Sequence, residues 1–96
     1  MKVEWSADAR KDLSDITEYI ASRNPLAAIE LDALLSSAPA KLADFPMLGR
    51  VGGIDGTREI LPHRHYRIVY SVADGIIKVL AIVHTSRQWP PVEDDA

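Results

Sequence analysis

Residues 66–84, YRIVYSVADGIIKVLAIVH, decide the fold. Two runs rich in β-branched and aromatic residues flank Asp74-Gly75, the dipeptide that favours a two-residue hairpin turn. The spacing predicts antiparallel strands over Tyr66–Val72 and Ile76–Val83. The second is nearly all apolar, as expected of a central strand covered on both faces. With a two-residue loop, Ala73 pairs with Ile76, Tyr66 with Val83, and Arg67 lies opposite Ile82. Strict alternation then groups Tyr66, Ile68, Tyr70 and Val72 with Ile77, Val79, Ala81 and Val83 on one apolar face, expected to lie under helices. The other face carries Arg67, Val69 and Ser71 with Lys78, Leu80, Ile82 and His84. On that side Arg67 and His84 are expected to be diagonal neighbours, about 7–8 Å apart and within reach of one ligand.

Working outward, Thr57–Leu61 reads as a further strand and Pro62–Arg64 as the turn after it. Four glycines between Gly49 and Gly56 predict a loop without regular structure. Upstream, the periodicity becomes helical. Ala28, Leu31, Leu35, Ala38, Leu42 and Phe45 recur in steps of three and four, behind an Asn24 cap and Pro25 at the first helical position. Pro39 cannot donate to the Leu35 carbonyl and predicts a kink or local break. An earlier helix shows the stripe Ala9, Leu13, Ile16 and Ile20, with Ser6 as N-cap and Asp8 in its first turn. Asp12, Asp15 and Glu18 are placed on its wet side. Lys2–Trp5 is a short strand. The order β-α-α-β-β-β predicts an α+β domain: an antiparallel helical hairpin packed on one face of a largely antiparallel four-stranded sheet. The first strand joins at an edge or beside a later strand. One domain is expected over residues 1–91, with an acidic tail over 92–96.

Ninety-six residues have room for one core, and 47% hydrophobic with 26% charged residues fits a folded protein. The absence of cysteine excludes disulfides, thiolate metal sites and a cysteine nucleophile, and fits a reducing cytoplasm. No apolar run approaches the roughly 18 residues of a membrane span, and residues 1–5 do not read as a signal peptide. The net charge of −3 excludes a general basic coat for nucleic acid. Its distribution is uneven. Residues 50–89 hold six cations (Arg50, Arg58, Arg64, Arg67, Lys78, Arg87) against three acids (Asp55, Glu59, Asp74), between an acidic first half and an acidic tail.

Each candidate side chain has a chemical and a plain reading. Arg67 offers a bidentate fork for phosphate or carboxylate, or is simply an exposed strand arginine. His84 suits general acid–base work near neutral pH, or ends its strand structurally. Arg87 and Trp89 together suit gripping and stacking a nucleobase; alternatively Trp89, before two prolines, plugs the edge of the core. His63-x-His65 has a metal-ligand spacing but sits in a turn without a third ligand, so it reads as solvated and no metal or other cofactor is expected. The glycine loop lacks the lysine-serine ending of a phosphate loop, and no serine sits in a nucleophile elbow.

The chain as a whole resembles the RelE/ParE superfamily of bacterial toxins, the poison halves of type II toxin–antitoxin modules. The likeness runs through Trp5-Ser6-x-x-Ala9, Asp12-Leu13, Ile16, Tyr19-Ile20 and Asn24-Pro25-x-Ala27-Ala28. It continues through Leu42-x-x-Phe45-Pro46-x-x-Gly49-Arg50, Gly56-Thr57-Arg58-Glu59, Tyr66-Arg67-Ile68-Val69-Tyr70 and Val83-His84-x-x-Arg87-Gln88-Trp89-Pro90. The resemblance implies a cytoplasmic, growth-inhibitory toxin of the plasmid-stabilization kind, neutralised by a cognate antitoxin. RelE-like members cleave ribosome-bound mRNA; here that reading would make Arg67 the phosphate clamp, with His84 and Arg87 assisting proton transfer. ParE-like members poison DNA gyrase without cutting RNA. The Phe45-Pro46-x-x-Gly49-Arg50 loop, the long helical hairpin, the acidic pI and the missing lysine cluster between residues 50 and 70 resemble that branch more. Arg50, Arg58, Arg64, Arg67, Arg87 and Trp89 are then expected to contact partner or target. A third reading is an interaction domain without toxicity.

Overall fold

Asp74 and Gly75 adopt φ values of 52° and 74°, the left-handed conformation that a tight hairpin requires. They join β4 (Tyr66–Ala73) to β5 (Ile76–His84) in this computed structural model, which describes residues 1–91. The expected acidic tail over 92–96 lies outside the described residues. From the turn, Ala73, Val72, Ser71 and Tyr70 pair with Ile76, Ile77, Lys78 and Val79 as the two-residue loop predicts. The register then shifts. Val69 pairs with Ala81, Ile68 with Ile82, Arg67 with Val83 and Tyr66 with His84.

Leu80 is therefore an extra residue, a β-bulge, and one extra residue reverses the facing of everything beyond it. Ile82 packs with Ile68 and Val79 in the core beneath the helices. Ala81 and Val83 pack with Val69 on the opposite face. This overturns the expected opposition of Arg67 and Ile82, and the expected placing of Ile82 and His84 on the open side. Arg67 and His84 do not share a face.

The bulge is held from outside the hairpin. Strand β1 (Lys2–Trp5) runs parallel to β5 from Lys2↔Ile76 to Trp5↔Val79 and stops there. Beyond it, Ser6 donates its N–H to the Val79 carbonyl at 2.9 Å and its hydroxyl to the Leu80 carbonyl at 3.1 Å. The same hydroxyl accepts the Ala9 N–H at 3.0 Å, capping α1 (Ala7–Ala21). Asp12 Oδ2 accepts the Ile82 N–H at 3.0 Å. Asp12 thus belongs to the helix–sheet junction and not to the wet side of α1. Its carboxylate replaces the strand partner that β1 is too short to supply.

Asn24 Oδ1 accepts the Ala27 N–H at 3.1 Å and Pro25 opens α2 (Pro25–Ser37), as the sequence predicts. At Pro39 the helix breaks into a 3₁₀ turn over Ala38–Ala43. Ala9, Leu31 and Leu35 of the hairpin pack on Ile68, Val79 and Ile82, while Leu42 packs on Tyr70 and Ile77.

Beyond β4 the sheet continues with β3 (Thr57–His63) and then a two-residue strand inside the glycine loop, β2 (Arg50–Val51), paired to Glu59 and Arg58. Among the described residues the sheet thus has five strands, not the expected four, in the order β1-β5-β4-β3-β2. The loop is therefore partly regular. Strand β3 also runs through Pro62, and the turn is Arg64–His65 rather than Pro62–Arg64. Proline is tolerated because β2 reaches only as far as Glu59, leaving the outer edge at Pro62 without a neighbour, where the β3–β4 register also slips. The buried Tyr70 hydroxyl fixes the start of the loop, donating to the Pro46 carbonyl at 2.8 Å and accepting the Gly49 N–H at 2.9 Å. A Cβ at Gly49 would fall 2.7 Å from both that hydroxyl and the Glu59 carbonyl oxygen.

Candidate functional site

On the side of the sheet away from the helices, β3 and β4 place Glu59 opposite Val69, beside Arg67. Glu59 is buried, and its Oε1 takes hydrogen bonds from Arg50 at 3.2 Å and Arg67 at 3.3 Å. Its Oε2 accepts the Gly53 N–H at 3.3 Å. Arg67 is itself mostly buried, at 17% side-chain exposure, whereas Arg50 is 72% exposed. Glu59 thus neutralises the guanidinium expected to grip a ligand and leaves Arg50 facing solvent, with Lys78 of β5, opposite Ser71, exposed on the same side. Arg58 is likewise spent on structure, donating to the Gly49 carbonyl at 2.8 Å.

The chain's own C-terminal segment covers the neighbouring part of this face. Trp89 packs on Val69, Ala81 and Val83. A Cβ added at Gly53 would meet Pro90 at 3.0 Å and the Trp89 carbonyl oxygen at 3.3 Å, so the glycine loop and residues 89–90 close over the sheet together. Two donors on this side, Arg67 Nε and Trp89 Nε1, are buried without a protein acceptor. Trp89 is a plug here, not a free stacking platform.

His84 lies at the end of the sheet. Its ring meets Tyr66 edge-on at 5.3 Å and stacks on His65 at 5.5 Å with a 15° interplanar angle. His63 closes the circuit, 5.5 Å from His65 and 5.8 Å from Tyr66. Thr85 ties the segment after β5 to the β3–β4 turn, donating its N–H to the His65 carbonyl at 2.8 Å and its hydroxyl to the Arg64 carbonyl at 3.0 Å. His63 Nδ1 accepts the His65 N–H at 3.1 Å, and His84 Nδ1 accepts the Ser86 N–H at 3.0 Å. Those bonds leave the proton of each neutral ring on Nε2. The exposed His65 ring has its pKa lowered from the usual histidine value, first by desolvation, then by Arg64, His63 and His84. Arg64 and Arg87 are exposed, and neither joins an ion pair among the described residues.

The structure therefore separates the residues the sequence singles out. Arg50, Arg58 and Arg67 cluster around Glu59 and the Gly49 loop; Arg64, His84 and Arg87 gather at the sheet end. Sequence reasoning missed Glu59 as the counter-ion of Arg67. The signal was present in alternation along Thr57-Arg58-Glu59, but it becomes legible only once the turn is placed at Arg64–His65. Asp12 was missed because nothing local marks the Leu80 bulge. His63 and His65 do face other imidazoles, but no three His, Asp or Glu side chains among the described residues form a group that could hold a metal.

Two helices packed on one face of this mixed sheet are the architecture of the RelE/ParE-like toxins. The fold superposes on a chain of the chromosomal ParDE toxin–antitoxin system of P. aeruginosa with a TM-score of 0.76 at 20% identity, covering 88% of this chain and 95% of that one. The family model described as ParE toxin of the type II toxin–antitoxin system, parDE, matches residues 3–89, and the chain belongs to that family. It is 36% identical over 86 residues to Toxin RelE2 of Caulobacter vibrioides, covering 90% of this chain and 97% of the relative. It is 34% identical over 92 residues to protein Y4kP of Sinorhizobium fredii, covering 95% of each. The protein is a type II toxin of the RelE/ParE superfamily, a class that pairs with an antitoxin.

Proposed function

We propose that this toxin acts in the ParE manner, arresting growth by poisoning DNA gyrase in the cytoplasm without cutting RNA, and serves plasmid stabilization. The observation that carries the reading is the state of Arg67. RNA cleavage needs an unengaged cation against the phosphate and an acid or base within reach of the same atoms. Arg67 is held by Glu59, and the Leu80 bulge turns His84 to the other face of the sheet. The sheet face on which such a substrate would lie is partly closed by Trp89. Of the arginines the sequence singles out, Arg50, Arg64 and Arg87 are exposed and left for contact with target or antitoxin, while Arg58, Arg67 and Trp89 hold the scaffold. The cytoplasmic assignment draws support from the lack of cysteine. No helix among the described residues is long and apolar enough to cross a membrane.

Supercoiling by purified gyrase is expected to fall as toxin is added, and unchanged supercoiling at saturating toxin would overturn the proposal. Codon-dependent mRNA cuts in a translating extract, abolished by Arg67→Ala, would establish the endonuclease instead. Normal growth on induction, with the soluble chain verified, would leave a non-toxic interaction domain.

A further inference from the structure

Among the described residues, every hydrogen bond that ties residues 85–91 to the rest of the chain ends at the rim formed by Arg64, His65 and His84. Thr85 reaches across to the β3–β4 turn, donating to the His65 and Arg64 carbonyls. Ser86 donates its N–H to His84 Nδ1 at 3.0 Å, with its hydroxyl 2.7 Å from the same nitrogen. The Arg87 N–H goes to the His84 carbonyl at 2.9 Å. The turn itself depends on His63, whose Nδ1 accepts the His65 N–H at 3.1 Å. Further along, the segment lays Trp89 onto Val69, Ala81 and Val83. The Trp89 Nε1–H is buried there without an acceptor, so the closed segment lacks a hydrogen bond that water supplies on opening. A segment fastened at one end and short of a bond at the other opens locally, without global unfolding.

We propose that the three imidazoles of the rim form an acid-released latch: neutral, they hold residues 85–91 over the sheet, and protonated, they release the segment and expose Val69, Ala81 and Val83. Hydrogen-bond chemistry gives the first reason. Protonation places a hydrogen on Nδ1 of His63 and His84, so an acceptor becomes a donor facing the N–H of His65 or Ser86. The Ser86 hydroxyl can turn to accept from His84, but the Ser86 N–H is left without a partner.

Charge gives the second reason. His65 stacks on His84 at 5.5 Å and lies 5.5 Å from His63, with Arg64 next to it on the turn and Arg87 on the segment. Each proton added to these rings meets like charges. Desolvation, Arg64, His63 and His84 already lower the pKa of His65. Tyr66, which packs on His63 and His84, is a phenol and supplies no counter-charge. Asp12 and Asp15 of α1 line the same cavity as His84 and Arg87 and favour a charged His84. Asp12, however, is engaged at the Ile82 N–H and Asp15 with Lys11, and neither returns the acceptor that Ser86 loses. The open segment therefore binds protons more readily than the closed one, and its population grows as pH falls through the histidine range. The latch holds whichever target the toxin poisons.

The test is amide hydrogen exchange of the isotope-labelled full chain at pH 8 and pH 5.5, corrected for intrinsic exchange. A soluble gadolinium chelate reports exposure of the Trp89 indole N–H in the same samples. Protection of the Thr85 and Ser86 amides is expected to fall at pH 5.5, by about tenfold for each imidazole that must stay neutral in the closed state. Relaxation of the Trp89 indole by the chelate is expected to rise with it. His63→Asn combined with His84→Asn puts an acceptor that cannot be protonated where each Nδ1 stands. That variant is expected to keep its protection at pH 8 and to lose most of the pH dependence, with retained amide dispersion showing that it is folded. Equal Thr85 protection at both pH values, or a fall only in step with the Ile68 amide of the core, would overturn the proposal, and both are read from the unmutated chain. An equally steep fall in the folded asparagine variant would overturn it as well.

Discussion

The sheet face around Glu59 and the sheet end around His84 each hold two arginines and treat them in opposite ways. On the face, one buried carboxylate serves Arg50, Arg67 and the Gly53 amide, so the mostly buried Arg67 is paired and fixed and the one surplus positive charge lies with the exposed Arg50. At the end, Arg64 and Arg87 join three imidazoles with no carboxylate in an ion pair among the described residues. A count of basic residues along the chain treats the two as one cationic region. The structure shows that in the first Arg67 is scaffold and Arg50 alone of the pair is surface, whereas both arginines of the second are surface. Buried charge is tolerable only when paired, whereas exposed charge stays free for a partner.

The comparison is broken most severely at Glu59. Glu59→Ala leaves the mostly buried Arg67 without its counter-ion and is expected to cost about 3–5 kcal/mol in urea unfolding. A loss under 1 kcal/mol, within surface-substitution range, would mean that Arg67 is solvated and the face is open after all. Next comes the cover. Trp89→Ala uncovers Val69, Ala81 and Val83 and should cost about 2–3 kcal/mol, less than a fully buried tryptophan because Trp89 is only half-buried. Limited proteolysis should also find the C-terminal segment easier to cleave. At the junction between the two regions, Asp12→Ala strands the Ile82 N–H and should cost about 1–2 kcal/mol. Asp12→Asn keeps an acceptor oxygen and is expected to recover most of that loss. Equal effects from both variants would mean that the charge, not the hydrogen bond, holds the bulge.

The smallest effect belongs to the rim. Because the folded-state pKa of His65 lies below its unfolded value, the unfolded chain binds more protons between the two. That contribution makes stability decline as pH falls from 7 through the ordinary histidine pKa and into the range just below it. His65→Asn should leave the urea midpoint at pH 8 unchanged and soften its decline toward pH 5.5. An identical decline in both proteins would assign the pH response to other groups.

Most of the architecture could be read locally. Asn24-Pro25 and Ser6 cap the helices where their side chains can reach the third amide onward, and Pro39 breaks a helix because it lacks the donor. Asp74-Gly75 sets the hairpin because both residues tolerate positive φ. These are short-range constraints of backbone geometry, and they act on any chain carrying those residues.

What surrounds Arg67 and His84 could not be read that way. Strict alternation from the Asp74-Gly75 turn puts them together. Leu80, with no bulge signature of its own, turns them apart because Ser6 and Asp12, more than 65 positions earlier in sequence, satisfy the backbone that the bulge exposes. The pairing of Glu59 with Arg67 has the same character, since the burial that makes it strong exists only after β3, β4 and the glycine loop have met. Sequence alone thus determines both helices, four of the strands, their order along the chain and the family, but not the short strand Arg50–Val51. Tertiary structure decides which charges are compensated and which face each side chain takes, because burial and register are properties of strands in contact.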